Sequence, residues 1–252
     1  MPPRLKRPAL SVQLVDLFLI QLSNFRWSWR GMVVTGILTP VLIIGSLGAF
    51  ARGDKLSAAY VLCGSIVLSL MFQNQNNVAN NFAYMKQMGT LDYFATLPIR
   101  RSFVIVATVL SFFLLSIPAL VVTTAVGVIL LGVSVHPSPL AMLLVPLCVL
   151  PLAGIGALIG ILARSTEEAG SASLLVTMLL LFCGPVMLPP DRLPDWVIGL
   201  SYLSPTSYAS SAIRQVLVGP VTDKLWIDAG VLLLVSFLSL WLAGHRLPWR
   251  ER

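Results

Sequence analysis

Residue types that carry catalytic chemistry are few in this sequence and stand far apart. The three cysteines, Cys63, Cys148 and Cys183, lie within apolar stretches and form no close pair, which favours small packing residues over a disulfide or metal site. The two histidines are isolated and supply no zinc ligand set. We recognise no phosphate loop, nucleophile elbow or facing pair of carboxylates. The sequence therefore predicts a protein with no catalytic residue, no metal and no cofactor of its own.

A first polar interruption of the hydrophobic sequence covers residues 77–101, which are predicted to form a cytoplasmic loop. Within it, residues 82–96 are predicted to form one short helix, because apolar side chains recur every three positions at Met85, Met88, Leu91 and Phe94. Pro98 ends this helix, and two arginines then mark the membrane boundary. Such a helix either docks a cytoplasmic subunit or lies on lipid, and the residues alone leave both interpretations open.

A second polar interruption covers residues 184–211. It opens with prolines that end the preceding span: Pro185, Pro189, Pro190 and Pro194. A short apolar stripe around Trp196 and a second short helix after Pro205 follow, and neither is long enough to cross a membrane. We interpret the pair as a re-entrant hairpin in the outer leaflet, whereas an extracellular loop with a surface helix is the alternative.

A third polar feature is a run of amide side chains just before the first interruption. Four of these amides share one helical face and could line a hydrophilic cytoplasmic mouth: Gln73, Asn77, Asn80 and Asn81. A solvated helix end just outside the hydrocarbon is the alternative, which the residues alone favour slightly.

The elements that position these segments must lie in a lipid bilayer. The chain has 252 residues, of which 57% are hydrophobic and 11% charged, whereas a soluble domain is about 25% charged. We predict an all-α integral membrane protein whose residues 31–252 form one transmembrane domain. Its six transmembrane helices are predicted at residues 31–51, 56–78, 103–132, 140–163, 169–188 and 225–244.

Residues 1–30 are predicted to form a cytoplasmic, interfacial amphipathic helix rather than a cleaved signal. One helical face carries Leu10, Leu14, Leu17, Phe18 and Gln21. Aromatic and basic residues then alternate, which suits rings at headgroup depth: Phe25, Arg26, Trp27, Trp29 and Arg30. The alternative is a soluble amphipathic helix that packs on a partner.

The distribution of basic residues predicts a multi-pass protein of the plasma (inner) membrane with both termini in the cytoplasm. This orientation leaves only five of the 17 basic residues outside, as the positive-inside rule requires: Arg52, Lys55, Arg192, Arg214 and Lys224. The net charge of +7 then lies on the cytoplasmic face, where it meets anionic lipid. It gives no support to nucleic-acid binding.

Over nearly its whole length the chain resembles the permease of ABC-2 type transporters, a family that includes drug and antibiotic efflux permeases and polysaccharide exporters. The family's coupling-helix pattern is matched by Lys86, Gly89, Thr90, Leu91, Asp92 and Pro98. Aspartate replaces the commoner glutamate at position 92. The family's re-entrant pattern is matched by Leu193, Pro194, Trp196, Pro205 and Tyr208.

The resemblance implies the membrane half of an ATP-driven exporter. ATP and Mg would be bound by a separate ATPase subunit, present in two copies, and a second permease chain, identical or homologous, would complete the pathway. The residues implied to contact the ATPase are Met85, Lys86, Gln87, Met88, Gly89, Thr90, Leu91, Asp92 and Phe94. Lys86 and Asp92 would pair with charged groups there, Met88 and Leu91 would be buried against it, and the hairpin would form an outer gate.

The predicted spans carry hydroxyl groups but no charge in the middle, which favours export of a hydrophobic or amphipathic molecule, drug-like or lipid-like. Export of a polysaccharide or lipid-linked glycan is the second possibility. A membrane-embedded lipid-modifying enzyme is an alternative of another class, although Asp92, Glu167 and Glu168 match no catalytic pattern. A scaffold protein, which would show no ATP-dependent flux, is the third class of protein that the sequence leaves open. Small residues at 153–160 allow close helix packing, either within the chain or between chains.

Overall fold

The computed structural model describes residues 10–24, 29–51, 53–97 and 99–247, and all regular structure in these ranges is helical. The all-α class is therefore confirmed. A 3₁₀ turn at Pro190–Arg192 precedes α8. The helices are α1 (Leu10–Asn24), α2 (Trp29–Phe50), α3 (Lys55–Gln87), α4 (Thr90–Thr96), α5 (Arg101–Leu131), α6 (Ala141–Leu162), α7 (Thr166–Phe182), α8 (Asp195–Ser201), α9 (Pro205–Leu217) and α10 (Lys224–Arg246).

Helix α3 is the centre of the bundle. It runs without a break through an α-helical segment (Lys55–Leu70), a π-helical segment (Met71–Asn76) and a second α-helical segment (Asn77–Gln87). It packs against α2, α5, α6, α7 and α9. Its most apolar stretch is 89% buried, against 22–50% for the other four membrane-length helices, so those four keep an apolar side for lipid.

Within the described residues, five helices are long and apolar enough to cross a membrane, and they correspond to five of the six predicted spans: Arg30–Ala49, Lys55–Gln87, Arg101–Leu131, Ala141–Leu162 and Lys224–Arg246. The remaining predicted span, 169–188, falls on α7, which ends at Phe182 after 17 residues. Residues 183–185 form a turn, in which Gly184 and Pro185 both disfavour continuation of the helix. A helix of this length covers about 26 Å, less than the roughly 30 Å of a hydrocarbon core. The count of six crossings stays a prediction.

The small residues at 153–160 pack helices within the chain. A Cβ atom added at Gly156 or Gly160 would overlap a backbone carbonyl oxygen of α3, that of Gln75 or Ala79. One added at Gly154 would overlap the Ser239 hydroxyl of α10. The glycines thus bring the backbone of α6 against α3 and α10, which assigns this stretch to the internal alternative.

Helix α1 packs along α5 through the polar and apolar residues of one face. Gln13, Leu17 and Gln21 are buried, and Gln21 Nε2 donates to Thr108 Oγ1 of α5 at 3.0 Å. The opposite side exposes apolar side chains, including Leu19, as a helix at a lipid surface does. Five residues on which the sequence predictions relied lie outside the described residues: Phe25, Arg26, Trp27, Arg52 and Pro98. The side chain of Trp29 is also outside the described part.

Candidate functional site

The segment predicted to form the coupling helix is divided into two helices. Helix α3 continues to Gln87, Met88 and Gly89 form a turn, and α4 follows. The prediction of a loop from residue 77 with one helix over 82–96 is therefore wrong. Gly89 has a φ of +71°, in the left-handed region that glycine adopts without steric cost and that commonly ends helices.

The turn separates the implied contact residues into a buried set and an exposed set. Met85, Leu91 and Phe94 are at most 5% exposed and belong to this chain's own core, so Leu91 is not free to contact a partner. Gly89 and Thr90 are half-buried. The exposed set, here called the turn surface, includes two tyrosines that the sequence reasoning missed; it consists of Tyr84, Gln87, Met88, Asp92 and Tyr93.

Lys86 is half-buried and forms hydrogen bonds within this chain. Its Nζ atom donates to the carbonyl oxygens of Ile161 and Ala163, both at 2.9 Å. These carbonyls lie at the C-terminal end of α6, where backbone acceptors lack helical partners and a positive charge is favourable. Lys86 therefore ties the end of α3 to the end of α6.

The acids near this end of the bundle cap helix α7. The Ser165 hydroxyl accepts from the N–H of Glu168 at 3.2 Å, and the Glu168 carboxylate accepts from the N–H of Arg164 at 2.8 Å. Hydrogen bonds from its own backbone N–H and from the Ser165 hydroxyl lower the pKa of Glu167. Asp92 lies apart, exposed in the first turn of α4. The two glutamates are thus engaged at a helix N-terminus.

The run of amides begins on the π-helical part of α3, where its members are buried, and continues into the α-helical segment that starts at Asn77. Gln73 is 1% exposed, donates to Met32 O of α2 at 2.7 Å, and accepts from Asn77 Nδ2 at 3.1 Å. The solvated helix end that the residues favoured is therefore wrong for Gln73, because α3 continues well beyond it inside the bundle. Asn77, Asn80 and Asn81 are half-buried, and their place in a cytoplasmic mouth stays a prediction.

Gln75 connects α3 to α7. Its Nε2 atom donates to Ser173 O at 3.3 Å and to Thr177 Oγ1 at 3.1 Å. Its Oε1 atom and Asn74 Oδ1 are buried without a partner among the described residues. A buried amide oxygen without a hydrogen-bond donor raises the free energy of the folded state when no water reaches it. A π-helical segment with unpaired polar atoms is a recurrent feature of functional sites.

Helices α8 and α9 form a hairpin that holds the residues of the predicted re-entrant pattern. Pro194 precedes the first residue of α8, and Pro205 is the first residue of α9, where its missing N–H costs nothing. Leu193 is half-buried, whereas Trp196 is 67% exposed. Tyr208 donates from its hydroxyl to Tyr202 O at 2.9 Å and thereby closes the turn between the two helices.

The turn of the hairpin is hydrogen-bonded to the end of α7, and the loop between α7 and α8 packs on α3. The hydroxyls of Ser204 and Thr206 donate to Leu180 O in the last turn of α7, at 3.2 and 2.7 Å. Ser210 Oγ donates to Val186 O at 3.1 Å. A Cβ atom at Gly64 would lie 2.6 Å from that same carbonyl, and Gly64 is about 14 Å along α3 from Lys55.

The ends of the hairpin return to the level at which α3 begins. Arg192, just before α8, forms an ion pair with Asp54 at 3.3 Å. Asp54 precedes α3 and accepts from the Ser57 hydroxyl and the Leu56 N–H, which lower its pKa. At the end of α9, Leu217 O accepts from the N–H of His136 at 2.8 Å. The hairpin thus lies along the first turns of α3, opposite to the turn surface.

The described residues of this helical chain form five membrane-length helices, which is the architecture of a multi-pass integral membrane protein. The ABC-2 type transporter family model matches residues 15–218. The chain therefore belongs to the ABC-2 type transporter family, whose members are transport subunits with the ATPase on a separate subunit.

Named relatives agree with this assignment. The chain is 30% identical over 194 residues to the daunorubicin resistance ABC transporter permease protein DrrB1 of Streptomyces coeruleorubidus, an alignment that covers 75% of this chain and 66% of that protein. It is 23% identical over 247 residues to the inner membrane transport permease YadH of Escherichia coli K12, with 96% of each chain covered.

Proposed function

We propose that this chain is the permease subunit of an ATP-binding cassette exporter that moves a hydrophobic or amphipathic molecule outward. The observation that carries the proposal is the turn surface, where aromatic and Met side chains are exposed at the end of the central helix. Met88 is 58% exposed, Tyr84 55% and Tyr93 62%. Tyr and Met are enriched in protein–protein interfaces, so this surface is suited to a protein partner.

The partner at the turn surface is the cytoplasmic ATPase subunit, with ATP and Mg bound there. Asp92 is exposed beside the tyrosines and supplies a charge that can pair with a basic group of the ATPase. Two ATPase copies and a second permease chain complete the complex. The residues beneath this surface support it by attaching α3 and α4 to the rest of the chain. Lys86 does so through hydrogen bonds, and the buried side chains of Met85, Leu91 and Phe94 do so through packing.

Motion at the turn surface reaches the membrane helices through polar links from α3. Lys86 is hydrogen-bonded to the end of α6. Gln75, which lies farther from the turn in the π-helical segment, is hydrogen-bonded to α7. A push on the turn between α3 and α4 therefore shifts α6 and α7 along with α3. The half-buried amides Asn77, Asn80 and Asn81 lie between these two links and line the cytoplasmic mouth.

The α8–α9 hairpin serves as the outer gate and re-enters the membrane. The loop that leads into it approaches α3 at Gly64 through Val186 and Met187, about 14 Å along that helix from Lys55, and irregular backbone at that depth persists only when it is packed in protein. The gate contains the five residues of the re-entrant pattern, which lie at the starts of α8 and α9: Leu193, Pro194, Trp196, Pro205 and Tyr208.

The substrate is a hydrophobic or amphipathic molecule, drug-like or lipid-like. One relative's name concerns daunorubicin resistance, and the described membrane-length helices of this chain expose mainly apolar side chains away from their ends. Such walls suit a cargo that partitions into lipid. Glycan export is the second candidate of the same class.

The experiment exchanges Met88 for glutamate and measures ATP-dependent uptake of daunorubicin into inverted vesicles that contain this chain and its ATPase subunit. We expect Met88→Glu to abolish ATPase co-purification and uptake together, because a charge is desolvated in the interface. Met142→Glu is the matched control, since Met142 is 89% exposed in the first turn of α6. Undiminished ATPase binding by Met88→Glu would contradict the docking surface.

A further inference from the structure

A cavity of about 450 Å³ opens where α3 and α9 meet, at the end of the bundle opposite the turn surface. Lys55 and Leu56 from the first turn of α3 form one wall, and Arg214 and Val218 of α9 form the other. Thr222, two residues before the start of α10, closes the rim. Because α3 and α10 are both membrane-length helices, this cavity lies at a membrane–water boundary.

Two cationic groups line the cavity, and neither forms an ion pair within the described residues. The guanidinium of Arg214 stacks on the Tyr60 ring, 3.9 Å from its centroid, which fixes its plane. Its Nη1 atom is buried and has no hydrogen-bond partner in the described part of the chain. The Lys55 side chain is exposed. A fixed guanidinium beside a mobile ammonium is an arrangement that recognises a phosphate.

The polar side chains around the two cations are already engaged. Gln215 accepts from the N–H and the hydroxyl of Thr222, at 3.1 and 2.7 Å, and donates to Asp228 Oδ2 at 3.1 Å. Asp228 is fully buried behind Gln215. Asp54 accepts from Ser57 and pairs with Arg192. Even with Asp228 counted against one of the two cavity cations, the side chains that line the cavity keep a net positive charge.

We propose that this cavity binds the phosphate of an anionic phospholipid headgroup. Arg214 and Lys55 contact the phosphate oxygens, while Leu56, Ala59 and Val218 supply an apolar wall for the start of the acyl chains. Apolar lining beside two cations at the boundary of two membrane-length helices distinguishes a lipid phosphate from a free one. The inference does not depend on the transport function, because binding requires neither ATP nor a cargo.

The test uses the full-length chain in phosphatidylcholine nanodiscs, titrated with short-chain phosphatidylglycerol and followed by native mass spectrometry and thermal unfolding. We expect saturable binding that weakens about tenfold in Arg214→Gln and in Lys55→Gln, because each loses a charge-assisted contact. Lys224→Gln is the matched control. It removes a cation at the same end of the bundle that does not line the cavity, and it should bind as the unmodified chain does.

Three outcomes would overturn the proposal. Equal loss of binding in Lys224→Gln would indicate general surface charge. Equal protection against unfolding by inorganic phosphate would replace the lipid by a free anion, and equal binding of added short-chain phosphatidylcholine would remove the preference for an anionic headgroup. Lys55→Gln keeps the test valid if Arg214→Gln fails to fold, because Lys55 is exposed and makes no internal hydrogen bond among the described residues.

Discussion

Lys86 joins two helix ends that are 75 residues apart in the chain. It donates to Ile161 O and Ala163 O, so one ammonium group satisfies two carbonyls that α6 leaves without helical partners. Gln75 makes a comparable link deeper in the bundle, from α3 to Ser173 and Thr177 of α7. At the scale of single residues, these polar groups of α3 therefore connect helices within the chain.

Replacement of Lys86 by methionine is predicted to lower stability and coupling together. The substitution keeps most of the aliphatic side chain but leaves two carbonyls at the end of α6 without their charged donor, at a cost of about 1.5–3 kcal/mol. The melting temperature in detergent and the transport rate should both fall, whereas Lys86→Arg should restore part of each. A stable Lys86→Met protein that fails only in ATPase binding would instead place Lys86 in the interface.

Gly89 is the residue on which the break between α3 and α4 depends. Its φ is +71°, and a Cβ atom there would meet no atom within 4 Å, so a substitution is opposed by the backbone conformation alone. We predict that Gly89→Ala costs about 1–2 kcal/mol, and that Gly89→Asn costs less, because asparagine tolerates the left-handed region. Chemical unfolding of the two variants measures the difference. Equal stability of both with the unmodified chain would contradict a requirement for the left-handed turn.

At the scale of elements, the contact between α3 and α6 is set by glycine. The backbone of α6 approaches Gln75 and Ala79 so closely at Gly156 and Gly160 that no Cβ atom fits. In a membrane, where lipid tails are as apolar as the side chains, such close backbone packing replaces the hydrophobic effect as the main source of helix association.

Gly156→Ala is predicted to destabilise the bundle by about 1–3 kcal/mol, because α3 and α6 must separate to admit the methyl group. Gly230→Ala provides the control, since a Cβ atom at Gly230 of α10 would meet nothing within 4 Å. That variant should be neutral or slightly more stable, owing to the higher helix propensity of alanine. Thermal unfolding of the two purified variants decides the comparison, and equal effects would contradict direct contact between α3 and α6.

At the scale of the whole molecule, the two short helical units occupy opposite ends of α3. The turn surface lies around Gln87, the last residue of α3, whereas the hairpin lies along the first turns of α3, where α9 packs on that helix and Arg192 pairs with Asp54. This arrangement gives the bundle one end suited to a water-soluble partner and one end sealed by packed helices. In the exporter proposed above, energy would enter at one face and cargo would leave at the other, so each end has its own role.

The re-entrant position of the hairpin makes a labelling prediction. Leu203, in the turn between α8 and α9, is 85% exposed within this chain. If that turn lies in lipid, Leu203→Cys should resist a membrane-impermeant maleimide in intact cells, while Asp223→Cys, at the exposed start of α10, should react readily. Detergent should make Leu203→Cys reactive, whereas equal labelling of both in cells would indicate an ordinary surface loop.

Composition and run length determined the class of protein, because a chain that is 57% hydrophobic can bury its spans only in lipid. The motifs at 86–98 and 193–214 also indicated the family to which the chain belongs. Tertiary structure alone decided what the polar residues contact. The spacing of Met85, Met88, Leu91 and Phe94 is the same in one helix or two, so only the left-handed turn at Gly89 shows which of them are exposed. Likewise, a lysine at a helix end is suited equally to a partner's acid or to free carbonyls, and the choice depends on where α6 ends in space.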